Sequence, residues 1–421
     1  MNKPTLAVQL GPLHLFWVTG IYYLWELKDK YNFIIFVNDD YKKSEKFLRI
    51  LKYFDIMHIH YQKKEKGFKL VSSLLKEYKA ILEKFKPCKF LIYNNSFVDN
   101  QCLIYLIKKS NFIYEIFQYQ NGKEALNIEN DRFFMTAVES KVLQDKFKFL
   151  KNFNKISLRL SKIRRFLIYL YYFKFIPLCL TGKVFKPPFN IFTGKYNNKV
   201  SKNSRKLINK YFVYLDTEAK AVSKLGVLNS QLIDHPLKNS HKEINNIIYG
   251  EVLERNQIAI MPSHGFIEGL IAKGCSYHDV SIFISKKYIE FLKIFQKKFP
   301  SYPIFFKLHP DSMKNRIWST IIKLISHEIK ITNITDNKIN AEKLIIESKI
   351  IISDVSTVLW WTIFFDEKIA ISLDIFDFEN GDEMINYAPH IYYVKDLRQI
   401  EKTNFLKISN LNNYFSIKKF L

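Results

Sequence analysis

Short apolar runs that stop abruptly at polar residues recur along the chain. Runs of this kind are typical of buried parallel strands, and the segments between them repeat apolar residues with helical spacing. In the first half the predicted strands cover residues 5–10, 32–38, 56–61, 89–93, 112–118, 211–215 and 230–233, and the predicted helices cover 14–27, 68–85, 101–109 and 218–224. This order predicts a doubly wound α/β domain.

The second half repeats the same scheme. Its predicted strands cover residues 257–261, 303–308, 329–332, 350–353 and 369–373, and its predicted helices cover 280–298, 317–325, 341–347 and 355–365. The polar stretch 239–245 (NSHKEIN) is the predicted linker, which divides the chain into domains 1–240 and 241–421. Two such domains joined by a linker predict a cleft between them.

Residues 146–202 break this pattern, because basic residues there interleave with aromatic ones. The apolar run that starts at Phe166 is shorter than the ~20 residues that span a bilayer, and Lys174 and Pro177 interrupt it. One interpretation is a cationic segment that lies on an anionic membrane surface. The other is a helical insertion that packs its aromatic face on the N-terminal domain.

Composition narrows the classes of partner. The chain has 421 residues, is 48% hydrophobic and carries a formal net charge of +25, so a globular protein with an anionic partner is expected. No recognisable nucleic-acid-binding motif accompanies the charge. The four cysteines are scattered, which argues against a disulfide framework or a zinc site, and no secretory signal is visible. These features predict a cytoplasmic protein that sits peripherally on the inner face of the membrane.

Two predicted strands of the second half end in residues suited to an anionic ligand. The strand at 303–308 brings Lys307, and then His309 and Pro310, to the edge of the sheet. Because proline restrains the residue before it and ends the strand, His309 is expected to project from the edge, where it can donate to a phosphate oxygen. The alternative is a histidine that only terminates the strand.

The strand at 350–353 ends in a second polar cluster. Ser353 or Asp354 can cap the helix that follows, and its free amides make an anion site that the hydroxyl groups of Ser356 and Thr357 extend. Capping alone explains Ser353 and Asp354. It does not explain why two polar strand ends recur at a βαβαβ interval.

A buried strand ending in K-x-H-P, followed by one ending in S-D-x-S-T, resembles the donor domain of bacterial GT-B glycosyltransferases, above all the sialyltransferase and polysialyltransferase group. Teichoic-acid glycerophosphotransferases share much of the pattern. The resemblance covers about residues 255–375 and implies an α/β GT-B fold with two Rossmann-like domains, a CMP-sugar donor and no cofactor. It also implies that His309 and Lys307 meet the donor phosphate, and that Ser356 and Thr357 meet the phosphate or the donor carboxylate.

The acidic pair that precedes a glycine in that family, and supplies its general base, is missing here. The equivalent position reads Gln120-Asn121-Gly122, and an amide cannot accept the proton, although such a turn can still position a substrate. The candidates that remain for the base are Glu124, Asp99 and His14.

Further polar residues follow the first strand of the second half. The amides of 263–265 and the Ser263 side chain are expected to border the donor together with His264 and Gly265, and Glu268 is expected to bind the ribose; a plain tight turn explains them equally well. Asp39 and Asp40 precede a lysine-rich helix and fit a helix cap better than a metal site, so metal-independent transfer is expected.

The resulting hypothesis is an inverting glycosyltransferase. It would move a nonulosonic acid from a CMP-sugar to a bacterial capsule polysaccharide or lipooligosaccharide acceptor at an anionic membrane surface, with His309 stabilising the leaving phosphate. The alternatives are a CDP-glycerol-type polyol-phosphate transferase and a non-catalytic protein that binds anionic membranes or nucleic acid.

Overall fold

The computed structural model contains two α/β units. It describes the chain outside residues 1–2, 14–15, 63–67, 94–97, 110–114, 120–207, 215, 217–218, 221–222, 224–228, 251–254, 263–266, 268–275, 309–315, 336–340, 355–357, 360–361, 363–364, 366–367, 374–390, 406–416 and 420. The predicted basic and aromatic insertion at 146–202 lies outside the described residues. Among the described residues, no helix is both long enough and apolar enough to cross a bilayer.

The first unit is built on a parallel sheet of seven strands in the order β3-β2-β1-β4-β5-β6-β7. The strands are β1 (Thr5–Gln9), β2 (Asn32–Asn38), β3 (Ile56–Gln62), β4 (Lys89–Ile92), β5 (Glu115–Gln118), β6 (Lys210–Val213) and β7 (Ser230–Leu232). The central strands β1 and β2 are apolar and buried because helices cover both faces of a doubly wound sheet.

The helices of the first unit follow its strands in alternation. They are α1 (Ile21–Leu27), α2 (Glu45–Leu51), α3 (Phe68–Phe85), α4 (Val98–Lys109) and α5 (Leu237–Tyr249), with a π-helical segment at Phe16–Gly20 and short 3-10 helices at Asp39–Lys43 and Ile417–Lys419. Asn38 caps the 3-10 helix by accepting from the Asp40 amide, whereas Asp39 and Asp40 fill its first turn. The sequence predicted a cap at Asp39 and Asp40, but the capping residue is Asn38, one position earlier.

The second unit is built on a parallel sheet of six strands in the order β10-β9-β8-β11-β12-β13. Its strands are β8 (Arg255–Ile260), β9 (Ile304–Lys307), β10 (Asn333–Thr335), β11 (Ser348–Ser353), β12 (Ile369–Leu373) and β13 (Tyr392–Val394), and its helices are α6 (Tyr277–Lys298), α7 (Arg316–Glu328), α8 (Ala341–Glu347) and α9 (Leu397–Lys402). One face of this sheet packs on α6 and α7 through a continuous apolar core.

The described residues up to 248, together with those from 417 onward, form the first unit, and those from 249 to 405 form the second. The predicted linker at 239–245 is wrong, since these residues lie inside α5. Ile244 and Asn245 are buried on one side of this helix, and the Ser240 hydroxyl donates to the Pro236 carbonyl. Polar residues at helical spacing therefore form an amphipathic helix here rather than a connecting loop.

The predicted strand at 329–332 is also wrong, because β10 begins at Asn333. The Ile329 amide donates to the Ile325 carbonyl, and the Ile329 side chain is buried in the core beside α7. Ile329 therefore packs at the end of α7 and does not begin a strand.

His235 lies buried just before α5, enclosed by the rings of Tyr22, Tyr23 and Tyr214. Its Nδ1 accepts a hydrogen bond of 3.0 Å from the Leu237 amide, so this ring satisfies one of the unpaired donors at the start of the helix. Burial lowers the pKa of His235 to about 3. The imidazole is consequently neutral in the folded chain at physiological pH.

This histidine predicts acid sensitivity of the first unit. Because the pKa is lower in the folded state than the unfolded value near 6.5, protons bind the unfolded chain preferentially and stability falls as the pH drops below about 6.5. Between pH 7 and pH 5 we expect the His235→Gln variant to lose about 2 kcal/mol less of its unfolding free energy than the unsubstituted protein. Urea unfolding at both pH values measures this, with exposed His278→Gln as the control; equal pH dependence in all three proteins would contradict it.

Candidate functional site

Four of the site residues predicted from the sequence are described by the structure, namely Asp99, Lys307, Ser353 and Asp354. The others lie outside the described residues: His14, Gln120, Asn121, Gly122, Glu124, Ser263, His264, Gly265, Glu268, His309, Pro310, Ser356 and Thr357. The roles expected for these residues stay predictions. Asp99, the remaining candidate for the base, is described and lies at the first sheet.

Lys307 and Ser353 lie in one row at the carboxyl edge of the second sheet. Strand register pairs Phe306 with Ile260 and Ile260 with Ile352, so the next residues, Lys307, Met261 and Ser353, are level with one another. Two strand spacings of about 4.8 Å separate the lysine and serine backbones. The structure thus brings together the two polar strand ends that the sequence singled out.

The Ser353 hydroxyl is engaged within the protein. It donates to the Met261 carbonyl and so ties the end of β11 to the end of β8. Asp354 is fully buried beside Tyr288, and the pKa of that phenol is raised by its burial and further by the Asp354 charge. Ser353 therefore ties two strand ends together, whereas Asp354 places a carboxyl group in the interior beside α6.

Strand β1 leads into a turn at Gly11, and the side chains of Tyr41, Tyr93 and Tyr119 surround this turn. The Tyr41 hydroxyl donates to the Gly11 carbonyl at 2.6 Å, and the Tyr119 hydroxyl lies 3.5 Å from the Gln9 carbonyl. A Cβ atom at position 11 would lie 2.8 Å from the Tyr93 ring, closer than real Cβ contacts come, so only glycine fits. These contacts fix the path of the chain after β1, and the π-helical segment that follows is of a kind frequent at functional sites.

The Asp99 carboxyl lies beside this turn, in the first turn of α4. Its Oδ2 accepts a 2.7 Å hydrogen bond from Nε2 of Gln9, the last residue of β1. Asp99 is partly exposed, whereas Gln9 is buried. A strand end and a helix start, ninety residues apart in sequence, thus place one carboxyl group at the carboxyl edge of the sheet.

Burial raises the pKa of the Asp99 carboxyl above its ordinary value, although hydrogen bonds from the Asn100 backbone and from Gln9 act in the opposite direction. The Asp99 charge in turn raises the pKa of the buried Cys102 thiol and of the Tyr78 phenol, for both of which burial is the larger cause. A carboxyl group whose pKa is moved toward neutrality exchanges protons more readily at physiological pH. Asp99 thus has the chemistry of a general acid or base.

Gln9 is the residue that sequence reasoning missed. It is a polar residue inside the predicted strand at 5–10, and its place two positions before the Gly11-Pro12 turn was the available signal. Within the described part of the chain, no group of three or more His, Cys, Asp or Glu side chains could hold a metal ion.

Comparisons with known proteins place the fold. No protein-family model and no curated protein matches the chain. Solved structures do, among them the UDP-GlcNAc 2-epimerase of Neisseria meningitidis bound to UDP-GlcNAc, with a TM-score of 0.52 at 12% identity over 95% of this chain and 90% of that one. The Methanocaldococcus jannaschii UDP-GlcNAc 2-epimerase gives a TM-score of 0.55 at 9% identity, over 95% and 91%. A putative UDP-N-acetylglucosamine 2-epimerase of Listeria monocytogenes gives 0.53 at 8%, over 95% and 87%.

The chain has a two-domain α/β fold of the GT-B type with parallel sheets, as the sequence predicted. The resemblance to sialyltransferases is wrong, because the structural likeness runs consistently to UDP-GlcNAc 2-epimerases. The predicted transfer of a nonulosonic acid from a CMP-sugar is wrong for the same reason. The alternatives, a polyol-phosphate transferase and a non-catalytic binding protein, find no support in these likenesses either.

Proposed function

We propose that the protein is an enzyme that binds a UDP-linked N-acetylhexosamine and inverts the configuration at C2 of its sugar. The observation that carries the proposal is the Asp99 carboxyl, held at the carboxyl edge of the first sheet with a raised pKa. The likeness to UDP-GlcNAc 2-epimerases over 95% of the chain supports the choice of substrate. The carboxyl ends of parallel strands are also where open α/β sheets bind ligands.

The reaction needs a group that exchanges a proton. To invert C2, its C–H bond breaks on one face of the ring, and the electron pair forms a C1=C2 double bond as the C1–O bond to UDP breaks. A proton then adds to C2 on the opposite face while UDP re-forms its bond to C1. In our proposal the Asp99 carboxylate serves one of the two faces, by taking the proton as a base or giving it as an acid.

The second unit is assigned the recognition of phosphate. Lys307 supplies positive charge at the carboxyl edge of its sheet, in the row that Ser353 braces. His309, Ser356 and Thr357 follow the same two strands in the sequence and complete the proposed set. Cationic and hydroxyl donors of this kind suit the diphosphate of a UDP-sugar as well as they suit a single phosphate.

Incubation of the purified full chain with UDP-GlcNAc tests the proposal. We expect the C2 epimer, UDP-N-acetylmannosamine, to accumulate until both epimers are at equilibrium, as followed by proton NMR of the anomeric signals. UDP-glucose separates recognition of the acetamido group from recognition of the nucleotide, and a CMP-sugar is the negative control. Absence of the epimer at enzyme concentrations that bind UDP-GlcNAc would contradict the proposed reaction.

A further inference from the structure

The Gln9 side chain makes three hydrogen bonds at the carboxyl edge of the first sheet. Its Nε2 donates to the Leu10 carbonyl and to Asp99 Oδ2, each at 2.7 Å, and its Oε1 accepts from the Tyr93 amide at 3.3 Å. One amide group thus connects the end of β1, the residue after β4 and the start of α4. Because Gln9 is only 5% exposed, bulk water does not compete for these bonds.

These three partners fix the orientation of the amide. With Nε2 and Oε1 exchanged, the carbonyl oxygen would face two acceptors, the Leu10 carbonyl and the carboxylate, and the NH2 group would face the Tyr93 donor. All three hydrogen bonds would become repulsive contacts. The orientation with Nε2 toward Asp99 is therefore the stable one.

We propose that Gln9 is a positioning residue that orients the Asp99 carboxyl group through its hydrogen bond to Oδ2 and favours the charged form of that group. Oδ2 accepts the Gln9 N–H at 2.7 Å, and a hydrogen bond donated to a carboxylate favours its charged form. This inference rests on the proposed function for its catalytic meaning. Its structural content stands on the hydrogen bonds alone.

The other groups that face Asp99 do not compete for this role. Tyr78 on α3 and Cys102 on α4 interact with its charge, and burial keeps both neutral by raising their pKa values. Glu77, beside Tyr78, pairs with His60 and accepts from Ser73. The remaining hydrogen bonds to Asp99 come from backbone groups, which a side-chain substitution leaves in place.

Loss of the Gln9 donor should change the pKa of Asp99 in a definite direction. A hydrogen bond to a carboxylate favours its charged form, so removing the donor raises the pKa of Asp99. From the usual strength of such bonds we expect a rise of about one pKa unit in Gln9→Met. Methionine preserves the volume and apolar stem of glutamine, which limits disturbance of the sheet.

The matched control is Gln118→Met. Register pairs Gln9 with Ile92 and Ile92 with Gln118, so the two glutamines end β1 and β5, on either side of β4, at the same level, and both are buried. Gln9 supplies the side-chain hydrogen bond that acts on the pKa of Asp99. Substitution of Gln118 therefore perturbs the same sheet edge to a similar extent without touching that bond.

The experiment is a 13C carboxyl NMR titration of the full chain labelled at aspartate, with the Asp99 signal assigned by its loss in Asp99→Asn. We expect the Asp99 pKa to rise by about one unit in Gln9→Met and to stay unchanged in Gln118→Met. An unchanged titration in Gln9→Met, or an equal rise in both variants, would overturn the inference.

A second variant keeps the test informative if Gln9→Met folds poorly. Gln9→Glu has nearly the same shape and puts a second carboxyl beside Asp99, so one member of the pair should titrate well above Asp99 in the unsubstituted protein. Independent titration of the two groups would overturn the inference. These titrations use no substrate, so absence of epimerisation would sink the proposed function and leave the Gln9 result standing.

Discussion

Substitution of Asp99 by asparagine should abolish most of the proposed epimerisation while leaving the protein folded. Removing a general acid or base lowers the rate by about 100- to 10,000-fold. Asparagine has the shape of aspartic acid and still accepts from Gln9 Nε2, so the local packing is preserved. Initial rates of C2 epimerisation measure the loss, with exposed Asp55→Asn, whose carboxylate pairs with Lys3, as the matched control.

The same variant should be no less stable than the unsubstituted protein at neutral pH. The pKa of Asp99 is raised in the folded state, so its contribution to stability is fully present below the unfolded value and is lost as the pH rises through the folded value. At pH 7 the charged carboxylate therefore costs stability, which the neutral amide avoids. A variant that loses activity and stability together would indicate a structural role for Asp99 instead.

Substitution of Gly11 by valine should destabilise the first unit by about 3 kcal/mol, as insertion of a large side chain into a packed site does. The Cβ atom alone would lie 2.8 Å from the Tyr93 ring, and the buried ring has little room to move. Urea unfolding measures the loss. Because the turn leads from Gln9 toward the π-helical segment, the variant should also lower epimerase activity.

The Tyr93 ring is the specific obstacle in this prediction, so a double-mutant cycle tests it. Tyr93→Leu removes the ring and leaves the backbone amide that donates to Gln9 Oε1. Combined with Gly11→Val it should be more stable than the sum of the two single losses predicts. Strict additivity would show that the valine clashes with something other than Tyr93.

The sequence predicted the strands closely wherever an apolar run is bounded on both sides. The predicted strands at 32–38 and 369–373 coincide with β2 and β12. Both are buried, and in each the sequence is a short apolar run with polar residues on either side. Predictions failed where one residue type serves two structures. The buried Ile329 ends a helix instead of starting a strand, and the polar stretch 239–245 lies inside α5, where Lys242 and Glu243 are exposed and Ser240 and Asn245 are buried.

Two elements near the end of the second unit escaped prediction. β13 has three residues, too few for a periodic pattern. The start of α9 did carry a signal, because Asp396 accepts from the Arg398 amide and Gln399 reaches back to the Asp396 backbone, forming a capping box. A short helix of this kind depends on its cap more than on its apolar pattern.

From the sequence, two polar strand ends of the second unit were expected at one edge of its sheet. Lys307 and Ser353 do share one row, because parallel strands bring their carboxyl ends to the same edge. Strand ends with cationic and hydroxyl groups suit any phosphate, however, so the motif could not identify the nucleotide. The contact between Gln9 and Asp99 joins residues ninety positions apart, and only the folded sheet reveals it.

In the proposed reaction the protein exchanges the C2 proton of a UDP-linked N-acetylhexosamine through Asp99. Its most direct measurement is incubation of UDP-GlcNAc with the full chain in deuterium oxide, with deuterium at C2 read by NMR and mass spectrometry. We predict that one deuterium enters at C2 with the unsubstituted protein and with Asp55→Asn. With Asp99→Asn the rate of deuterium incorporation should be at least about 100-fold lower. Epimer formed without deuterium at C2, or equal incorporation by Asp99→Asn, would contradict the account.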